Sequence, residues 1–182
     1  LLMALAQAYR DKPDDVQRTV GQIMERLGQL ESPRPGATLP GAAPPQLTGG
    51  LDLVPGMVPD RQTEDCLTVE VVAPSPSLPA ARPVLVWVPG GSYRIGGAGL
   101  ATYDGAALAG EGLVVVGVNY RLGALGWLAA EGVPTNLGLR DLRAAVEWVR
   151  AAAPVFGGDP DRIVLMGESA GAGAIAHLLA AG

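Results

Sequence analysis

Five residues near the end of the chain, Gly167-Glu168-Ser169-Ala170-Gly171, have the types and spacing that nucleophilic chemistry needs. They follow an apolar run, Ile163-Val164-Leu165-Met166, and precede a stretch with Ala174, Ile175, Ala176, Leu178 and Leu179. G-x-S-x-G between a buried strand and a helix forces the chain to reverse at the serine, while Gly167 and Gly171 let strand and helix pass without Cβ clashes. Such a turn lifts the Ser169 hydroxyl above the sheet edge. It also aims a helix N-terminus at it, so the Ala170 N–H and a partial positive charge lie where an oxyanion would form. Glu168, next to the serine, reads as support for this elbow or as a charge shaping the field on the pocket floor.

A second turn strengthens the first. Residues 84–88 form an apolar run that leads directly into Pro89-Gly90-Gly91-Ser92-Tyr93. In open α/β sheets ligands sit at the carboxyl ends of strands, and backbone N–H groups of Gly91 and Ser92 would complete a three-donor oxyanion hole with Ala170. The plainer alternative is an ordinary connecting turn. A serine nucleophile also needs a base, and an acid to orient that base. The chain has a single histidine, His177, eight residues past Ser169 on the same predicted helix. At 1.5 Å rise per residue that is about 12 Å along the axis, beyond hydrogen-bond reach. His177 therefore reads as a packing or surface residue, and the base and acid are expected after Gly182, in the order serine, Asp/Glu, histidine. The 182-residue chain by itself is expected to be inactive.

The elements that must position these groups follow from periodicity. Residues 67–72 alternate like a half-exposed strand, whereas 84–88, 113–118 and 163–166 are continuous apolar runs of the kind buried parallel strands require. Between the last two, Leu142, Ala145, Val146 and Val149 recur at helical spacing over 139–153. Strand and helix alternating in order predict an α/β fold with a mostly parallel sheet flanked by helices. Upstream, residues 1–30 read as a helical segment broken at Asp11-Lys12-Pro13, with Val16, Val20, Ile23, Met24, Leu27 and Leu30 along one face. It suits packing on a neighbour or, alternatively, binding a partner. Residues 31–60 hold seven prolines and five glycines, which favours an extended linker over helix or ladder, with a proline-motif ligand as the alternative. The catalytic part is assigned to 61–182.

Composition bounds the rest. A formal charge of −5, from 13 basic against 18 acidic residues, lacks the basic footprint of a nucleic-acid binder. No apolar run approaches the roughly 18 residues of a membrane span. The single cysteine, Cys66, excludes an intrachain disulfide and a cysteine-built zinc site. No cofactor and no metal is called for, and no protein partner can be named.

Six stretches in order identify a resemblance to the type-B carboxylesterases, the lipase and cholinesterase-like group of α/β-hydrolases. They are Glu64-Asp65-Cys66-Leu67-Thr68-Val69; residues 84–93; Tyr103-Asp104-Gly105 with Leu108-Ala109; Asn119-Tyr120-Arg121-Leu122-Gly123 with Leu125-Gly126; Asn136-Leu137-Gly138-Leu139-Arg140-Asp141 running to Trp148-Val149; and Phe156-Gly157-Gly158-Asp159-Pro160 leading to the elbow. The resemblance implies an α/β-hydrolase fold that is incomplete at its C-terminal side. It implies hydrolysis of a small or medium carboxylic ester through an acyl-enzyme, with Ser169 as nucleophile and Gly91, Ser92 and Ala170 as oxyanion donors. It further implies that Asn119, Arg121, Asn136 and Asp141 hold the loops around the site.

There are departures. Pro89 stands where the family's oxyanion turn usually opens with histidine, and Ser92 where a third glycine is usual, so that its side chain narrows the alcohol side. Residues 1–60 do not match the family's usual amino-terminal hairpins. Cys66 lies where secreted animal relatives place a disulfide cysteine. With no second cysteine, the resemblance implies the bacterial-type form without that bridge; the single cysteine and the absence of an intact signal peptide favour the cytoplasm, and the compartment is left unassigned. Two other readings stand beside it: a cholinesterase-like adhesion or binding scaffold, and a dinucleotide-binding module through Gly171-Ala172-Gly173-Ala174-Ile175-Ala176, a G-x-G-x-x-A run.

Overall fold

The structure, a computed structural model, describes residues 41–46, 59–74, 81–129, 131–132 and 134–181. The helical segment expected over 1–30 lies outside the described residues, as does most of the stretch expected to be a linker.

Four strands form one sheet: β1 (Val69–Val72), β2 (Arg82–Val88), β3 (Val114–Val118) and β4 (Gly158–Gly167), in the spatial order β1-β3-β2-β4. β2 runs parallel to both β3 and β4, with Val86 opposite Val116 on one side and Leu165 on the other. β1 is antiparallel to β3, with Val69 opposite Val118. The pattern follows from the sequence. β2 and β3 are continuous apolar runs and occupy the middle, while the alternating β1 lies at the half-buried edge. Val84, Val86, Val88, Val114, Val116 and Val118 are almost fully buried, each contributing roughly 1.5–3 kcal/mol relative to exposure.

Four helices are described: α1 (Ala106–Gly110), α2 (Gly123–Trp127), α3 (Leu137–Ala152) and α4 (Ala170–Ala180). α3 places Leu142, Ala145 and Val149, and α4 places Ala174, on the valine face. The 3-10 turn Ala101–Tyr103 and α1 serve the other face: Trp87 packs on Tyr103, with ring centroids 5.2 Å apart, and a Cβ at Gly105 would meet the Val115 side chain. Helical layers on both faces of a sheet with a parallel centre match the predicted class.

One expectation needs correction. Residues 41–46 fall within the stretch read as a linker, yet they are built into the domain. Ala42, Ala43 and Pro44 are buried, and Ala43 bridges Gln62 through backbone hydrogen bonds. The Asn119 amide donates to the Ala42 carbonyl, 3.2 Å. Prolines exclude helix and ladder, but they do not prevent an extended segment from packing when side chains of the domain satisfy its backbone.

β4 has no partner strand on its outer side among the described residues. Val164 and Met166 of β4 are 57% and 50% exposed, and Leu179 of α4 is 74% exposed.

Candidate active site

β4 ends at Gly167 and α4 begins at Ala170, so Glu168 and Ser169 alone make the reversal. Ser169 is the N-cap residue of α4 with φ +54° and ψ −119°, a region that costs a non-glycine residue on the order of 1–3 kcal/mol. The flanking glycines are required by contact. A Cβ at Gly167 would meet the Ala172 nitrogen at 2.8 Å, and one at Gly171 would meet the Val88 carbonyl, with the Pro89 oxygen at 2.9 Å. The backbone at Gly171 and Ser169 is fixed further by Gly171 N–H donating to the Glu168 carbonyl, 2.8 Å, and Gly173 N–H to the Ser169 carbonyl, 3.1 Å. Ser169 and Glu168 are both exposed, so the hydroxyl is not sunk in the interior.

The turn after β2 lies against this elbow. A Cβ at Gly90 would meet the Glu168 carbonyl oxygen at 2.6 Å and the Ser169 Cβ at 3.2 Å, and would also meet the Glu168 carboxylate. The turn is closed by the Gly91 carbonyl, which accepts from Arg94 N–H at 2.9 Å and Ile95 N–H at 3.1 Å. Gly91 has φ +113°, Ser92 +55° and Tyr93 +59°. Of the five described non-glycine residues with positive φ, three (Ser92, Tyr93 and Ser169) are therefore on these two turns. The backbone hydrogen bonds of the described residues use none of the Gly91, Ser92 and Ala170 amides as donors. The structure thus brings Glu168 and Ser169 beside Gly90 of the turn, with Ala170 next in the chain at the start of α4.

Tyr93 anchors the turn to the rest. Its ring sits 4.4 Å from that of Trp127 between centroids, its carbonyl accepts from Gly123 N–H at 2.7 Å, and a Cβ at Gly173 would meet its hydroxyl at 2.8 Å. Tyr120, 2% exposed, donates its hydroxyl to the Pro89 carbonyl at 2.7 Å; burial raises its pKa above the ordinary phenol value. Tyr103 is shifted upward too, first by burial and then by the nearby Glu168 charge.

The four side chains expected to hold loops make the following contacts. Asn119 is buried; its Oδ1 accepts from Ala98 N–H at 2.7 Å and its Nδ2 donates to Ala42 and to Thr68 Oγ1. Asp141 accepts from Arg121 Nε at 2.7 Å, Nη2 at 2.6 Å and the Arg121 backbone N–H at 3.1 Å. That bond chiefly holds the Arg121 pKa above its ordinary value. Asn136 adopts φ +55° at the start of α3 and makes no side-chain cap bond there. Its carbonyl accepts from Arg140 N–H. His177 is exposed two turns along α4, lining a groove of about 440 Å³ with Leu139, Arg143, Glu147 and Leu178 of the two helices and no residue of either turn. Gly171 and Gly173, the glycines of the G-x-G-x-x-A run, lie inside the first turn of α4 and serve close packing on β2 and Tyr93. The dinucleotide reading therefore has no loop to rest on. Among the described residues no group of three or more His, Cys, Asp or Glu could hold a metal, and no helix is long and apolar enough to cross a membrane.

Sequence reasoning missed Gln46. Its side chain binds both backbone groups of Gly96, accepting from N–H at 2.8 Å and donating to C=O at 2.7 Å. Glutamine in a proline-rich stretch carries no periodic signal, so only contact could reveal it.

A layered α/β sheet whose strand-to-helix bend presents a strained serine beside a glycine turn is the arrangement of the α/β-hydrolases. Within that class the chain belongs to the carboxylesterase family, whose model matches residues 32–181. It is 46% identical over 150 residues to the para-nitrobenzyl esterase of Bacillus subtilis, covering 79% of this chain and 30% of that protein. It is 43% identical over 152 residues to a probable N-octanoylanthranilate hydrolase of Rhodococcus erythropolis, covering 82% of this chain and 33% of the relative. The acetylcholinesterase of Gallus gallus is 50% identical over 127 residues, 66% of this chain and 16% of the enzyme. A solved thermophilic para-nitrobenzyl esterase superposes with a TM-score of 0.70 at 45% identity, over 77% of this chain and 30% of that one. The chain thus spans about a third or less of the length of these relatives.

Proposed function

We propose that this chain carries the nucleophile and oxyanion half of a carboxylic ester hydrolase. Ser169 Oγ attacks the ester carbonyl carbon, and its proton passes to a base supplied from outside these 182 residues. The carbonyl oxygen becomes an oxyanion held by the Gly91, Ser92 and Ala170 amides. Its collapse breaks the bond to the alcohol oxygen, which leaves with the proton, and water then repeats the sequence on the acyl-enzyme. His177, the chain's single histidine, lines the α3–α4 groove with no residue of either turn.

The observation that carries this reading is the strained Ser169 backbone, φ +54°, packed so close to Gly90 that a methyl group there would lie 3.2 Å from the Ser169 Cβ. Strain of this kind persists only where the surroundings over-determine it, and it clusters at functional sites. Small carboxylic esters are the proposed substrates, with no nucleic acid and no cofactor involved. Glu168 is proposed to support the elbow electrostatically.

The test is fluorophosphonate labelling of the full-length protein together with hydrolysis of a short-chain p-nitrophenyl ester. Labelling and turnover, both abolished in Ser169→Ala, are expected. A wild-type protein that folds but neither labels nor turns over ester would favour the binding-scaffold reading instead. Ser169-dependent hydrolysis by the 182-residue chain alone would refute the outside base.

A further inference from the structure

The Gly90–Ser92 turn is braced from two sides, and one brace comes from an unexpected place. Its far end is Gly96, buried, with φ +118°, and a Cβ there would meet the Gly90 carbonyl oxygen at 2.6 Å. The Gly90 and Gly96 backbones are thus packed too closely to admit a side chain between them, so a shift of one presses on the other. The Gln46 amide grips Gly96 by both backbone groups. Oε1 accepts from Gly96 N–H at 2.8 Å, and Nε2 donates to the Gly96 carbonyl at 2.7 Å and to the Pro44 carbonyl at 3.0 Å. The Gln46 backbone N–H separately donates to Gln62 Oε1 at 2.8 Å, a bond in which the clamping side chain takes no part.

We propose that Gln46 is a positioning residue for ester hydrolysis: by clamping Gly96 it fixes the turn whose Gly91 and Ser92 amides receive the oxyanion. Ser92 and Tyr93 both sit at positive φ without being glycine. A segment of that kind relaxes unless its ends are held, and a donor displaced by a fraction of an ångström loses much of its effect. No other described residue outside the 81–97 segment makes a side-chain hydrogen bond to Gly96. The Gln46 amide suits the position because its Oε1 accepts from the N–H while its Nε2 donates to the C=O of one residue.

The inference rests on the esterase reading, and the test separates the two. Gln46→Ala, Gln46→Glu and Gln62→Ala would be made in the full-length protein. Steady-state hydrolysis of a p-nitrophenyl ester would be measured alongside amide exchange of Gly96. Gln46→Glu keeps the acceptor but sets a carboxylate against two carbonyls, and Gln62→Ala loosens the same segment without touching the clamp. The expected result is a kcat lowered about tenfold or more in both Gln46 variants, with KM held within about twofold and Gly96 exchange accelerated about tenfold. In Gln62→Ala kcat stays near wild type. Equal kcat in wild type and Gln46→Ala, or equal losses in Gln46→Ala and Gln62→Ala, would overturn the proposal. Should Gln46→Ala not fold, Gln46→Glu is judged by the same two criteria. An inactive wild type would defeat the esterase reading while Gly96 exchange still reports on the clamp, and unchanged exchange in both Gln46 variants would then overturn it.

Discussion

Gly90 offers the sharpest way to disturb the proposed site without touching Ser169. A methyl group there would lie 2.6 Å from the Glu168 carbonyl oxygen and 3.2 Å from the Ser169 Cβ. The Glu168 carboxylate can swing aside, but the carbonyl belongs to the elbow backbone, held by its bond from Gly171 N–H. Restoring an ordinary contact needs a separation of roughly 0.4–0.8 Å between turn and elbow, given that carbon and oxygen resist approach below about 3.0–3.4 Å. The Gly91 and Ser92 amides move with the turn, whereas Ala170 stays with α4. Displacements near 1 Å cost on the order of 100-fold, and loss of one oxyanion donor about 100- to 1,000-fold. Gly90→Ala in the full-length protein should therefore lower kcat/KM for a p-nitrophenyl ester by about 100-fold, with a matching fall in the fluorophosphonate labelling rate. Overpacking costs only about 1–3 kcal/mol of stability, so thermal unfolding should still reveal a cooperative folded state. A Gly90→Ala protein that folds and retains activity within about threefold of wild type would refute the assignment of this turn to the oxyanion.

The remaining predictions concern the frame. Asp141, 3% exposed and accepting three bonds from Arg121, should on change to Ala leave a largely buried guanidinium uncompensated. A loss of about 3–5 kcal/mol in denaturant titration is expected, and a loss under about 1 kcal/mol would show the pair to be ornamental. The Cys66 thiol, 1% exposed, is pushed up to about 11, chiefly by burial and then by the Asp141 charge. It should resist alkylation at pH 8 in the folded protein and react on unfolding. The same shift has a sign in stability: above the ordinary thiol range the unfolded chain releases this proton while the folded one keeps it. The thiol's share of stability is therefore complete below about pH 9 and lost as the pH climbs towards 11. Unfolding titrations of wild type and Cys66→Ala that fall in parallel through that window would contradict it.

Much of the fold was legible because the chemistry of strands is written locally. The valine runs of β2 and β3 and the three- and four-residue spacing in α3 each announce an element, and the elbow announces itself through Gly167, Ser169 and Gly171. The legible part ends where the cause is contact. α1 and α2 are five residues each, too short for a period to show, and they depend on close approaches such as Gly126 against the Arg121 carbonyl. Residues 41–46 read as linker because proline density reports what a backbone cannot do, not what it rests against. Their place is set by Asn119, Gln62 and Gly96, between 16 and 77 residues away in sequence.

That long-range bracing bears on how the strain at the site is sustained. Ser92, Tyr93 and Ser169 each occupy a conformation costing about 1–3 kcal/mol, a large share of the roughly 5–15 kcal/mol that separates folded from unfolded domains. Local bonds alone do not hold them, since Ser169 makes no side-chain cap bond at α4. What holds them is the buried valine sheet below and the rigid contacts beside: Gly171 on Val88, Gly90 on the Glu168 carbonyl, Tyr93 on Trp127, Tyr120 on Pro89. Each of these links the β2 turn to the β4 elbow or to a neighbour of one of them. The proposed nucleophile and oxyanion cradle, carried on separate strands, would need such links, because a reacting carbonyl must meet both within a few tenths of an ångström. The glycines at 90, 167 and 171 are therefore better understood as contact surfaces than as sources of flexibility. Enlarging any of them should injure geometry before it injures folding.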